Sequence, residues 1–259
     1  MMKIYKIKIL FPLFAFILSL FLSCKSPHAP ATEEVDPLTE TLETENFIFH
    51  YVPGDYVRPE WQEAYHAWAT SQLGVTCWKK IDYYKYRDRD HMRQQTGIGY
   101  TNAYAISYNL TIHTIWPIDN HECVHCYTYL IGRASAFFGE GIAVAFSTNP
   151  YNNDYTAYWW GEPVHYWAKK FKDEGTLLAL DDILTSYNFG NYDSTITYPE
   201  SGSFVRFMID NYGIDKMISI FKTGSSEDIL QEVKQKFKSI YGFSTEDAEE
   251  EWLIFLDNY

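Results

Sequence analysis

The apolar pattern of this chain changes period once, at Pro117, and that change limits the folds open to it. Ahead of it, short runs alternate apolar and polar positions in β-favouring residues. They are Asn46–Val52 (NFIFHYV), stopped by Pro53-Gly54, then Trp78–Tyr86 (WKKIDYYKY) and Asn109–Ile115 (NLTIHTI). Trp61–Leu73 reads as a helix between the first two. Beyond Pro117 the spacing is helical. Asp119 or Asn120 can cap a helix ending near Gly132, and Ala134–Ser147 forms another. Val164–Lys172, Ser203–Tyr212 (stopped by Gly213) and Ile214–Phe221 follow. Ser225 with Asp228, and Ser244 with Asp247, each set a hydroxyl three residues ahead of a carboxylate, the signature of a helix start. Strands first and helices afterwards predicts an α+β domain rather than an alternating parallel sheet.

His121-Glu122-Cys123-Val124-His125 is an HExxH sequence inside the helix expected after Asp119. At about 100° per residue the two imidazoles lie about 40° apart, with Glu122 about 60° further round, so all three share one face. Two imidazoles can then hold one zinc ion while the carboxylate stands beside it. A catalytic zinc needs a third protein ligand and an open position. Glu140, in Phe137-Phe138-Gly139-Glu140-Gly141-Ile142-Ala143 on the next expected helix, is the candidate third ligand.

With that segment the chain resembles the gluzincin metallopeptidases, specifically the peptidase MA-like group, whose third zinc ligand is the Glu of an E-G-x-A segment on the helix after HExxH. Tyr198-Pro199-Glu200-Ser201-Gly202-Ser203, leading to Asn211-Tyr212-Gly213, is similar to that family's downstream segment, in which a tyrosine precedes a small-residue turn and a helix. The closing helix with Trp252 is similar as well, so the resemblance covers residues 47–259. It implies a zincin-like domain holding one Zn²⁺ through His121, His125 and Glu140. Glu122 would serve as general base and Tyr198 as the donor to the oxyanion, in hydrolysis of peptide or protein substrates. Two departures stand out. The gap from His125 to Glu140 is shorter than in thermolysin-like enzymes, and Val144 occupies the place where those enzymes carry an aspartate behind a histidine.

The N-terminus speaks to location. Lys3, Lys6 and Lys8 precede an uncharged stretch from Ile9 to Ser23, a basic region followed by an apolar one of signal-peptide length. It ends in Leu20-Phe21-Leu22-Ser23-Cys24, which resembles the lipobox of bacterial lipoproteins, with Phe21 replacing the usual aliphatic residue. The expectation is a signal peptide over 1–23 and a lipid on Cys24, on an exported protein held to a membrane at the periplasmic face or the cell surface. Residues 24–46, with prolines and a carboxylate-rich run and no apolar periodicity, read as a tether, leaving 47–259 as the folded domain.

Composition removes other classes. The formal charge of −13 opposes any nucleic-acid partner that depends on phosphate neutralisation. Four cysteines are too few for a disulfide scaffold, so 22 Tyr, 17 Phe and 8 Trp must supply much of the buried area. Cys123 and Cys126 lie on the metal helix but are expected to face the core, and a disulfide involving Cys77 stays open. His165 is a packed histidine or an alternative oxyanion donor; His50, His66, His91 and His113 default to structural or solvated roles. The aromatic segment Tyr151–Trp167 supports a competing reading, a catalytically inactive zincin-like lipoprotein that binds glycan or peptide in an aromatic cleft.

Overall fold

Alternation in the first half builds one sheet. The computed structural model describes residues 36–259; the signal segment, Cys24 and the first part of the tether lie outside the described residues. Five strands, β1 (Glu40–Glu43), β2 (Phe47–Tyr51), β3 (Ile81–Lys85), β4 (Ala103–Ile106) and β5 (Thr111–Thr114), pair in the order β1-β2-β3-β5-β4. The inner three are parallel and the two edge strands antiparallel to their neighbours, so the sheet is mixed. The register Phe49↔Tyr83↔Ile112 puts one parity of residues on the core side, where Phe47, Phe49, Ile81, Tyr83 and Ile112 are fully buried. The other parity stacks His50, Tyr84, His113 and Tyr104 ring on ring across four strands, with centroids 4.4 to 4.9 Å apart.

Parallel strands need a crossover, and helix α1 (Pro59–Leu73) supplies the first. Pro59 sits at its first turn, where its missing N–H is harmless, and Gly74 ends it at φ 64°. A short helix, α2 (Arg89–Thr96), follows β3. After β5 the chain is mostly helical: α3 (Asn120–Ile131), α4 (Ala136–Ala145), α5 (Val164–Glu174), the single turns α6 (Leu180–Ile183) and α7 (Ser186–Phe189), α8 (Ser194–Tyr212), α9 (Ile214–Thr223), α10 (Leu230–Tyr241) and α11 (Thr245–Asn258). A small hairpin, β6 (Tyr158–Trp159) and β7 (Glu162–Pro163), interrupts them. The architecture is α+β, a mixed sheet followed by helices. Among the described residues no helix is long and apolar enough to cross a membrane.

Three sequence expectations change. The end of the stretch read as a tether is structured, because β1 pairs with β2 and Glu63 accepts hydrogen bonds from Thr44 and Asn46. Tyr198 to Gly202 form no turn ahead of a helix beginning at Ser203. They lie within α8, whose start is capped by Asp193 accepting from the Thr195 N–H. Pro199 removes one bond of that helix, and the small residues after it serve close packing instead. Ser225 and Asp228 close a local turn, with the Ser225 N–H donating to Asp228 at 2.9 Å; α10 begins later, where Glu232 accepts from the Ile229 N–H at 3.0 Å. Ser244 and Asp247 do cap α11 reciprocally.

The contact between α4 and α8 sets the position of everything downstream. A Cβ on Gly141 would lie 2.7 Å from Val205 Cγ2, and one on Gly202 would lie 2.3 Å from Val144 Cγ1. The two helices therefore touch backbone to side chain, and Val144 fills that contact. Glu140 and Tyr198 ride on the two helices next to it.

Candidate metal centre

The start of α3 is fixed by a buried polar network. Asp119 accepts from the Glu122 N–H at 3.1 Å and from the Thr114 hydroxyl at 2.7 Å, while its own N–H donates to Gln62 Oε1. Gln62, fully buried on α1, donates its amide to Cys123 Sγ at 3.0 Å. Burial raises the pKa of Asp119, and its two hydrogen bonds oppose that rise. This network sets the rotation of α3, so that Cys123 faces the core and the opposite face carries His121 and His125.

The structure brings His121, His125 and Glu140 together. His121 Nε2 lies 3.1 Å from Glu140 Oε2, His125 Nε2 lies 3.3 Å from the same oxygen, and the two Nε2 atoms are 3.2 Å apart. Three donor atoms bonded tetrahedrally to an ion at about 2.0 to 2.1 Å would be separated by about 3.3 Å. The triangle fits that geometry. Hydrogen bonding alone accounts for it poorly, because two imidazoles that both donate to Glu140 leave their N–H groups facing each other. The group could hold a divalent metal ion.

Electrostatics of the cluster are consistent with a cation-seeking site. Burial would raise the Glu140 pKa, but the charge and hydrogen bonds of His125 and His121 hold it well below the usual carboxylate range. Burial opposes charge on His125, yet the Glu140 carboxylate outweighs it and pushes the imidazole up to about 9. Glu122, 8% exposed, is pushed up to about 7, by burial first, with the positive histidines opposing and Asp119 adding to the rise. A cation held by the triad would act on Glu122 in the opposite direction.

With Val144 spent on the helix contact, no carboxylate among the described residues backs His121. Its Nδ1 is buried without a partner among the described residues. Packing orients the ring instead: Tyr198 lies almost parallel to it at 5.9 Å and Trp159 approaches at 6.0 Å. Burial, followed by the Glu140 and Glu122 charges, raises the pKa of the Tyr198 hydroxyl, so it stays a proton donor.

The triad opens into a cleft of about 1050 Å³ bounded by edge strand β4, the α3 face, Tyr198 and the β6–β7 hairpin. Several rings in it are exposed, among them Tyr100, Tyr108, Trp116 and Trp160. Trp160 and Gly161 form the hairpin's two-residue turn at φ 47° and 82°, a conformation uncommon for a tryptophan. Sequence reasoning missed both β4, too short to show alternation, and this hairpin, whose signal was a glycine directly after an aromatic pair.

The remaining candidates fall elsewhere. His165 lines a separate cavity with Arg206 and Asp210, and its Nδ1 is hydrogen-bonded to the Ser203 hydroxyl, whose oxygen accepts from Trp252. It is a packed histidine, pushed down to about 4 by burial, and the alternative oxyanion role is not supported. Cys77, Cys123 and Cys126 are free thiols, the last two fully buried. His66 bonds Tyr127, His113 bonds Tyr86, His91 bonds the Asp36 carbonyl and His50 lies 3.6 Å from Asp82, so all four are structural. No protein-family model matches the chain, and no curated protein matches it either.

Proposed function

We propose that this chain is a zinc-dependent peptide hydrolase of gluzincin type with a zincin-like fold. The observation that carries the reading is the near-equilateral triangle of donor atoms from His121, His125 and Glu140, at the spacing tetrahedral zinc requires. Two neutral imidazoles and one carboxylate suit zinc better than a hard, all-oxygen cation such as Mg²⁺ or Ca²⁺. Bound there, zinc supplies Lewis acidity, polarising a substrate carbonyl and bringing the pKa of water to about 7.

The chain's own residues account for the rest. Glu122 stands one residue from a ligand on the same helix face; as a buried carboxylate it takes the proton of the attacking water and delivers it to the leaving amine. Tyr198, its hydroxyl held protonated, donates a hydrogen bond to the oxygen on which charge develops. Edge strand β4 offers unpaired main-chain groups along the cleft, to which an extended peptide can add. The test is metal content of the purified protein, together with digestion of a mixed peptide library. Cleavage stopped by chelator and restored by Zn²⁺ is the expected result; a zinc-free protein, or cleavage indifferent to chelator, defeats the reading.

A second reading draws on the exposed rings. Tyr100, Tyr108, Trp116 and Trp160 in one cleft suit a catalytically inactive lipoprotein that binds glycan or peptide. Retention on a glycan array without any cleavage of the library favours it. In either case we propose export and a lipid anchor on Cys24, which labelling with radioactive palmitate tests: the label should disappear in Cys24→Ala.

A further inference from the structure

The cleft holds a charged group that the proposed chemistry does not use. Arg133 lines it and, among the described residues, is the only arginine or lysine to do so; the acids there are Asp119, Glu122 and Glu140. Its guanidinium lies 5.2 Å from the centre of the Tyr129 ring and meets no carboxylate among the described residues. In a chain with 34 acidic against 21 basic residues that is informative. Arg87, Arg93 and Arg206 pair with Asp36, Asp90 and Asp210, and Arg89 donates to Asn102; Arg58, over Tyr56 and Trp61 outside the cleft, is the other arginine without a carboxylate among the described residues.

The position is also rigid. A Cβ on Gly132 would lie 2.2 Å from the Phe221 carbonyl oxygen, and one on Gly224 would lie 3.0 Å from the Arg133 carbonyl oxygen. The backbone on either side of Arg133 is thus pressed against the end of α9, while its exposed side chain lies over the Tyr129 ring at the wall of the cleft. A guanidinium held this way is suited to bidentate capture of a carboxylate.

Resting on the peptidase reading, we propose that Arg133 is a specificity-determining residue that binds a carboxylate of the substrate, two to four residues from the scissile bond. α3 ends at Ile131, about 9 Å beyond His125 along its axis, and Arg133 follows the non-helical Gly132 two residues further on. An extended peptide rises about 3.3 Å per residue, and the arginine side chain spans part of the distance. The carboxylate is an aspartate or glutamate side chain, or the chain terminus. The protein's net negative charge gives no long-range attraction to such a group, so recognition is short-ranged.

The test uses fluorescent octapeptides with amidated ends, carrying one Asp or Asn at successive positions, and one all-Asn peptide with a free C-terminus. Binding is read by anisotropy to the full mature protein, kept metal-free with chelator so that no turnover interferes. At one position, or for the free C-terminus, the carboxylate peptide should bind about tenfold more tightly than its neutral counterpart. That preference should vanish in Arg133→Gln, return partly in Arg133→Lys and shrink at high salt. Equal binding throughout, no binding, or a preference that survives Arg133→Gln overturns the proposal. Cleavage sites mapped with zinc present should fall two to four residues from the preferred carboxylate, and an adjacent site also overturns it. Discrimination without cleavage removes the peptidase reading alone; cleavage without discrimination removes the role of Arg133 alone.

Discussion

Glu122 and Glu200 are both buried carboxyls, and their surroundings give them opposite uses. Glu122 opens onto the cleft beside the two histidines, so in the proposed mechanism losing its proton-carrying oxygen removes chemistry without removing a ligand. Glu122→Gln should keep one zinc per chain by atomic absorption while turnover falls by about 10² or more; full activity in that variant would falsify the mechanism. Glu200 is fully buried on α8 with one oxygen accepting from the Leu178 N–H at 3.2 Å and the other without a partner. Burial, with help from the Glu249 charge, pushes its pKa from 4.5 up to about 8. Below 4.5 the folded and unfolded chains both hold the proton. Between 4.5 and 8 only the folded chain does, so stability is lost as pH rises through that window, by up to a few kcal/mol. Urea unfolding at pH 5 and pH 8 checks this: Glu200→Gln should lose less stability between the two than the parent chain, and identical losses would refute it.

At the scale of elements, the site depends on how closely α4 and α8 approach. A Cβ on Gly202 would lie only 2.3 Å from Val144 Cγ1, well inside contact distance, so an added methyl must push the helices apart. Gly202→Ala should cost about 1–3 kcal/mol through overpacking. It also carries Tyr198, one turn earlier on the same helix, away from His121. The expected signature is a fall in kcat with zinc stoichiometry and KM little changed, since the ligand triangle is built from α3 and α4. Loss of zinc in step with activity would show instead that the ligands themselves depend on α8. The start of α3 has a comparable anchor in Asp119, which joins the helix to β5 and α1 through Thr114 and Gln62.

For the whole molecule, the proposed metal binding would be coupled to folding, because His121, His125 and Glu140 come from two helices that converge only in the folded chain. Zinc at about 100 times its dissociation constant adds about 2.7 kcal/mol. For a domain of this size that corresponds to a rise in Tm of about 5–10 °C. Calorimetry with and without Zn²⁺ should show the rise in the parent chain and none in Glu140→Ala. An equal rise in both would place the bound metal elsewhere.

Much of this arrangement is written in local pattern. Alternation in NFIFHYV and NLTIHTI sets which residues face the core, Asp119 and Gly132 bracket the metal helix, and the spacing of His121 and His125 puts both imidazoles on one face, because strand pleat and helical turn are short-range geometry. What local pattern leaves open is how elements meet. That Glu140 reaches the histidines, that Val144 packs against Gly202 where an aspartate would back His121, and that Ser201 and Gly202 belong to a helix contact rather than a turn all depend on the crossing of α4 and α8. The pairing of β4, the Trp160 turn and the isolation of Arg133 likewise arise between segments distant along the chain. Side-chain distances across such contacts follow from close packing of the entire core, to which no single stretch of residues has access.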